Sequence, residues 1–83
     1  MGGAVDESAV LEAVRRNVLA VVPDLDPELI TPDRSLADLG CNSIDRADVA
    51  AMTVDDLGIT VPVAEFGGVA DIGDLVRLLV RHC

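Results

Sequence analysis

The stretch LGCNSIDRADVAAMTVDDLG, residues 39–58, decides the fold of this chain. Gly40 suits a chain reversal, Asn42 and Ser43 are both favoured helix caps, and Gly58 is a helix stop. Between them the sequence predicts a helix from Ser43 to Leu57. At about 100° per residue it sorts into three sectors. Val49, Ala50, Thr53 and Leu57 make the face expected to be buried. Asp45, Asp48, Met52 and Asp55 fall on another side, with Asp56 near its end. Ile44, Ala47 and Ala51 form a small apolar strip beside these acids. Asp55 and Asp56 sit near the negative end of the helix dipole, and no lysine at i+4 compensates any of the acids. A merely solvated face leaves that cost unexplained, whereas a surface kept for an Arg- or Lys-bearing partner accounts for it.

Upstream, Val10, Val14, Val18 and Val21 recur with helical period and predict a first helix from about Asp6 to Val21. Asp6 and Glu7 lie at its positive end, and Pro23 stops it. Residues 23–42 carry Pro23, Pro27 and Pro32, so no continuous helix or strand fits there. A connection this long is expected to be packed down, with Leu25, Leu29, Ile30, Leu36 and Leu39 as anchors. Ser35 to Asp38 resembles a capping box for one turn. Downstream, Ile59 to Pro62 reads as extended, and a short helix is expected near Val63 to Phe66, broken by Gly67 and Gly68. Asp71 then caps a last helix through about His82, in which Ile72, Leu75, Val76 and Leu79 form an amphipathic stripe. The fold expected is all-α: a small bundle of three main helices and one short one, with a long loop between the first two. Residues 1–5 are expected to be a tail and 6–83 the domain.

Composition narrows the function. The chain has 83 residues, enough for one core, and a net charge of -9. That charge repels nucleic acid and anionic membrane surfaces. Phe66 is the single aromatic residue, so no platform for stacking bases exists. No apolar run approaches the ~18 residues of a membrane span. Cys41 and Cys83 lack the spacing of a zinc or redox pair. The chain is expected to be soluble, cytoplasmic and monomeric, and to bind no metal.

Ser43 admits three roles: cap, nucleophile or attachment point. If Asn42 caps the helix, Ser43 stands in the first turn with its hydroxyl directed at solvent. A phosphate ester there lies at the positive end of the helix, near free backbone N–H groups. Nucleophilic catalysis fits poorly. The sole histidine, His82, sits beside the C-terminus, where it is expected to belong to a frayed helix end. The sequence around Ser43 is not a Gly-x-Ser-x-Gly elbow. Cys41 lies in an acidic neighbourhood that disfavours a thiolate, so it reads as a packing residue. The acids of DLDPEL lack the glycine and closing glutamate of a calcium loop.

Residues 38–62, DLGCNSIDRADVAAMTVDDLGITVP, resemble the centre of an acyl carrier protein, whose hallmark is Asp-Ser-Leu at the start of the second helix. The likeness runs from about Asp6 to Val80. It implies that the protein catalyses nothing and that Ser43 takes a 4′-phosphopantetheine arm from coenzyme A through a phosphopantetheinyl transferase. Acyl groups would ride on the arm's thiol as thioesters. It further implies that Asp45, Asp48, Asp55 and Asp56 meet cationic patches on acyltransferases, ketosynthases and related enzymes, with Ile44 and Ala51 as apolar points of the same contact. Asn42 stands where the family has Asp, and Arg46 puts a cation in a normally acidic first turn. Both bear on which partners are accepted. Ala47, Ala50, Ala51 and Met52 make this helix slim, with room for cargo or a close partner. NSIDRADV is similar to freestanding polyketide carriers, particularly the donor carriers of β-branching cassettes, which work with a hydroxymethylglutaryl-synthase-like enzyme. Two other readings share parts of the pattern: an acidic helical interaction module without a prosthetic group, and an aminoacyl or peptidyl carrier.

Overall fold

The computed structural model describes residues 6–83; the expected tail at residues 1–5 lies outside them. The described residues contain helices and turns and no strand. Helix α1 spans Glu7–Val21, α2 Ser43–Leu57 and α3 Ile72–Arg81, with a short 3-10 helix at Val63–Gly68 before α3. The bundle expected from sequence is the one observed.

Each main helix starts on a side-chain cap. Asp6 accepts from the Ala9 N–H at 2.9 Å and Asp71 from the Asp74 N–H at 2.8 Å. Helix α2 starts on Asn42, described below. It ends at Gly58, whose φ of 65° is open to glycine without strain. There the Gly58 N–H donates to the Asp55 carbonyl and the Ile59 N–H to the Val54 carbonyl, a Schellman closure.

The core lies between the three helices. Val10, Val14 and Val18 of α1 pack with Val49 of α2 and with Ile72, Leu75, Val76 and Leu79 of α3, all buried. Val21, expected on the same stripe, is only half-buried at the helix end. Aliphatic side chains fill this volume, and the one aromatic, Phe66, packs against its edge from the short helix.

The long connection is held down as expected, though not by every anchor. Ile30 and Leu39 are buried, and Leu25 and Leu36 pack partly against the core. Leu29 is exposed instead. It ends a 3-10 turn at Pro27–Leu29 that turns the following residue, Ile30, inward. Two hydrogen bonds from the Arg15 guanidinium to the Ile30 carbonyl, at 2.9 and 3.2 Å, fasten that point to α1. The loop also hooks onto the start of α3. The Ile72 N–H donates to the Arg34 carbonyl at 2.9 Å, and the Gly73 N–H to the Pro32 carbonyl at 2.8 Å.

Ser35 and Asp38 make the reciprocal bonds of a capping box, with the Asp38 N–H on Ser35 Oγ and the Ser35 N–H on the Asp38 carboxylate. Gly40, at φ 90°, then reverses the chain toward α2. The short helix runs past its expected end at Phe66 and through both glycines. Its i→i+3 bonds continue to Val69, whose N–H donates to the Phe66 carbonyl at 3.2 Å. His82 is not a loose end. Its Nε2 lies 3.2 Å from the Glu65 carboxylate, which ties the close of α3 to the short helix.

Candidate functional site

The N-terminus of α2 resolves the ambiguity between Asn42 and Ser43. Asn42 is the cap: its Oδ1 accepts from the Asp45 N–H at 2.8 Å, and the Asp45 carboxylate accepts from the Asn42 N–H at 3.2 Å. This reciprocal pair needs neither of the Ser43 hydrogen-bonding groups. Ser43 is exposed in the first turn, with its Oγ free of backbone partners. The Arg46 guanidinium, one turn along, donates to that oxygen through Nη2 at 3.1 Å.

The backbone N–H groups of Ser43 and Ile44 have no acceptor among the described residues, as expected for a helix start. An accessible hydroxyl, two free N–H donors, a helix dipole and a guanidinium therefore converge at one corner. That set suits an anionic ester on the serine oxygen. It does not suit nucleophilic catalysis, because no base reaches Ser43. His82, the only histidine, is engaged with Glu65. Cys41, two residues before Ser43, is buried, and burial followed by the nearby Asp45 charge pushes its thiol pKa up. Its role is packing, and both cysteines are free thiols. Among the described residues no cluster of His, Cys, Asp and Glu could hold a metal ion.

The acids of α2 divide into two kinds. Asp48 and Asp55 are exposed, and among the described residues neither carboxylate has a hydrogen-bond or ion-pair partner. Asp45 is half-buried in the capping box. Asp56, expected to face a partner with the others, turns toward α1. Its carboxylate accepts from Asn17 Nδ2 at 3.0 Å and from Arg16 at 3.3 Å. The Asn17 bond first, then the Arg16 bond, holds its pKa below the ordinary carboxylate value.

Asn17 also donates to Thr53 Oγ1 at 3.0 Å, and Thr53 in turn donates to the Val49 carbonyl at 2.7 Å. This buried polar contact between α1 and α2 was not foreseen from sequence. Its signal was there: Asn17 falls three residues after Val14, on the buried stripe of α1.

Beside the acids, Ile44 stands 72% exposed, and Ala47 and Ala51 are exposed as well. The slim side of α2 faces a groove of about 450 Å³. Ala47, Ala50, Ala51 and Val54 line it from α2, and Val63 and Phe66 of the short helix with Val69 just after it line it opposite, with Arg46 also on its lining. Val63, also on the groove lining, is 85% exposed.

A family model described as "Phosphopantetheine attachment site" matches residues 14–79, most of the chain and all of the site above. The chain belongs to the acyl carrier protein family. The "Polyketide biosynthesis acyl-carrier-protein AcpK" of Bacillus subtilis (strain 168) is 35% identical over 74 residues, covering 89% of this chain and 90% of that one. A meromycolate extension acyl carrier protein of Mycobacterium leprae (strain TN) is 27% identical over 79 residues, covering 94% of this chain and 68% of its own. An acyl carrier protein of Rhodococcus erythropolis (strain PR4 / NBRC 100887) is 30% identical over 65 residues, with 77% and 71% covered. No solved structure matches the chain.

As an acyl carrier protein, this molecule holds 4′-phosphopantetheine covalently and carries rather than catalyses. No helix among the described residues of the carrier is long and apolar enough to cross a membrane.

Proposed function

We propose that this carrier holds its phosphopantetheine arm on Ser43 and serves polyketide assembly, where it acts as the acetyl donor carrier of a β-branching cassette. The observation that carries the first part is the capping arrangement. Asn42 and Asp45 satisfy the helix start between them and leave the Ser43 hydroxyl exposed beside free N–H donors and a guanidinium. Loading replaces the hydroxyl proton. An ester bond forms between Oγ and the phosphorus next to the pantetheine, the pyrophosphate bond of coenzyme A breaks, and the adenosine half leaves. When bound, the group supplies a thiol for thioester chemistry. The chain's own part is to fix the ester at a charged corner and to offer a surface that enzymes recognise.

That surface is read as Ile44, Ala51, Asp48 and Asp55, flanked by Asp45 and Arg46. Two unpaired carboxylates around an exposed apolar strip complement a partner with Arg or Lys around a hydrophobic centre. Asp56 contributes less, since α1 already engages it. Phosphopantetheinyl transferase, acyltransferase, ketosynthase and a hydroxymethylglutaryl-synthase-like enzyme are the partners proposed. The polyketide setting is supported by the likeness to the Bacillus polyketide carrier. The donor role is supported by NSIDRADV, with Asn42 and Arg46 as its distinguishing residues.

Incubation with coenzyme A and a broad-specificity transferase is expected to add one phosphopantetheine to the wild type and none to Ser43→Ala. Uptake by that variant would remove Ser43 from the assignment. The donor role predicts that the acetyl-loaded protein binds a synthase of this class more tightly than a carrier bearing the growing chain does. Equal binding, or none, defeats the subtype while leaving the carrier assignment standing.

A further inference from the structure

Arg46 stands out among the charged residues of α2. Among the described residues, the ion pairs join Arg15 to Glu12, Arg16 to Asp56, Arg77 to Asp74 and His82 to Glu65. Among the described residues Arg46, like Arg34 and Arg81, has no carboxylate within ion-pairing distance. Its guanidinium instead reaches back one turn to a neutral oxygen, Ser43 Oγ, at 3.1 Å. The residues facing Arg46 at i±3 and i±4 are Asn42, Ser43, Val49 and Ala50, none of them acidic, so the guanidinium is left with a neutral hydroxyl and the capacity for a stronger, charge-assisted bond. The same side chain lines the groove between α2 and the short helix, so it stands between the serine and that groove.

We infer that Arg46 is a built-in counter-ion for the phosphodiester formed on Ser43, and that it holds the root of the arm on the groove side of α2. The inference rests on the reading of Ser43 as the attachment residue. Esterification makes the atom the guanidinium already contacts the bridging oxygen of a phosphodiester, and places the negative charge on the two non-bridging oxygens beside it. The planar fork then has non-bridging oxygens to bind, and charge-assisted bonds to phosphate are roughly twice as strong as neutral ones. The free N–H groups of Ser43 and Ile44 approach the same anion from the helix end. Arg46 is a positioning residue here: it touches the linkage and leaves the thiol chemistry alone. A further consequence follows for recognition. A phosphate neutralised from within the carrier offers less charge to an enzyme that reads it with a lysine or arginine, so Arg46 sets how strongly such enzymes compete for the linkage.

The test uses the loaded protein, with the intact mass of every sample confirming one phosphopantetheine. ³¹P and arginine side-chain ¹⁵N spectra are recorded for wild type, Arg46→Gln and Arg46→Lys. In the wild type, the Arg46 Nε–Hε signal is expected to shift between unloaded and loaded forms. The ³¹P resonance should differ between wild type and Arg46→Gln, with Arg46→Lys restoring part of the difference. Because the pair is exposed, the difference should fade at about 1 M salt, where the screening length falls to ~3 Å. Loaded protein with the same ³¹P shift in wild type and Arg46→Gln, and an unmoved Arg46 signal, overturns the inference alone. Failure of Ser43 to take the group overturns the attachment reading and this inference with it. Arg46 is exposed and outside the core, so both substitutions should leave the fold intact.

Discussion

At the last turn of α2, the Asp56 carboxylate accepts one hydrogen bond from Asn17 and one from Arg16, and both act only in the folded chain. They lower its pKa below the ordinary aspartate value of about 3.9. A carboxylate whose folded pKa is depressed adds stability that is fully present above the unfolded value. That stability is lost as pH falls through the folded value. Asp56→Asn is therefore expected to be less stable than wild type at neutral pH, and the two should converge in strong acid. Urea midpoints measured from neutrality down to about pH 2 check this, and equal slopes for the two proteins would contradict it. Sequence periodicity placed Asp56 near the end of the acidic side of α2, whereas its carboxylate turns toward α1. Periodicity could not show that α1 approaches closely enough for Asn17 and Arg16 to engage it, because that contact depends on how two helices cross. Ser43 and Arg46 are a different case. A spacing of three sets them on one helix face, but Asn42 and Ser43 are both favoured caps, and only the folded backbone decides that Asn42 takes that place and frees the serine.

Elements of this bundle were legible wherever punctuation and period agreed. Asn42 and Gly58 bracket α2, and Asp71 starts α3. The long connection was harder because its structure comes from tertiary hydrogen bonds rather than local pattern. Its attachment to α3 runs through Gly73, where an added Cβ would stand 3.1 Å from the Pro32 carbonyl oxygen. That oxygen also accepts the Gly73 N–H and has little freedom to retreat. Gly73→Ala therefore sets two effects against each other. The helix gains up to about 1 kcal/mol in propensity, while overpacking of this kind costs about 1–3 kcal/mol. The position lies in the first turn of α3, where the propensity gain is least, so net destabilisation of about 1 kcal/mol is expected. Chemical denaturation gives the value, and faster amide exchange at Ile72, whose N–H is bonded to Arg34, locates it. A variant as stable as wild type would mean that the loop yields without loss. The 3-10 character of Val63–Gly68 was likewise hidden: two glycines at its end read as a break, yet its i→i+3 bonds pass through them.

Across the whole molecule, charge and shape divide the work. The net charge of -9 disfavours contact with polyanions, and on α2 two exposed acids without a partner among the described residues, Asp48 and Asp55, flank an exposed apolar strip. An aliphatic core and polar ties hold α1, α2 and α3, which leaves the groove beside α2 lined by small residues. The single corner where loop, helix start and groove meet holds Ser43 and Arg46. The central claim is that the arm is attached there. Peptide-level mass spectrometry of the loaded protein tests it most directly, because the chain offers three serines, Ser8, Ser35 and Ser43. The account predicts phosphopantetheine on the peptide bearing Ser43 and on no other. Its presence on Ser8 or Ser35, or an unmodified Ser43 peptide in fully loaded protein, would contradict the account.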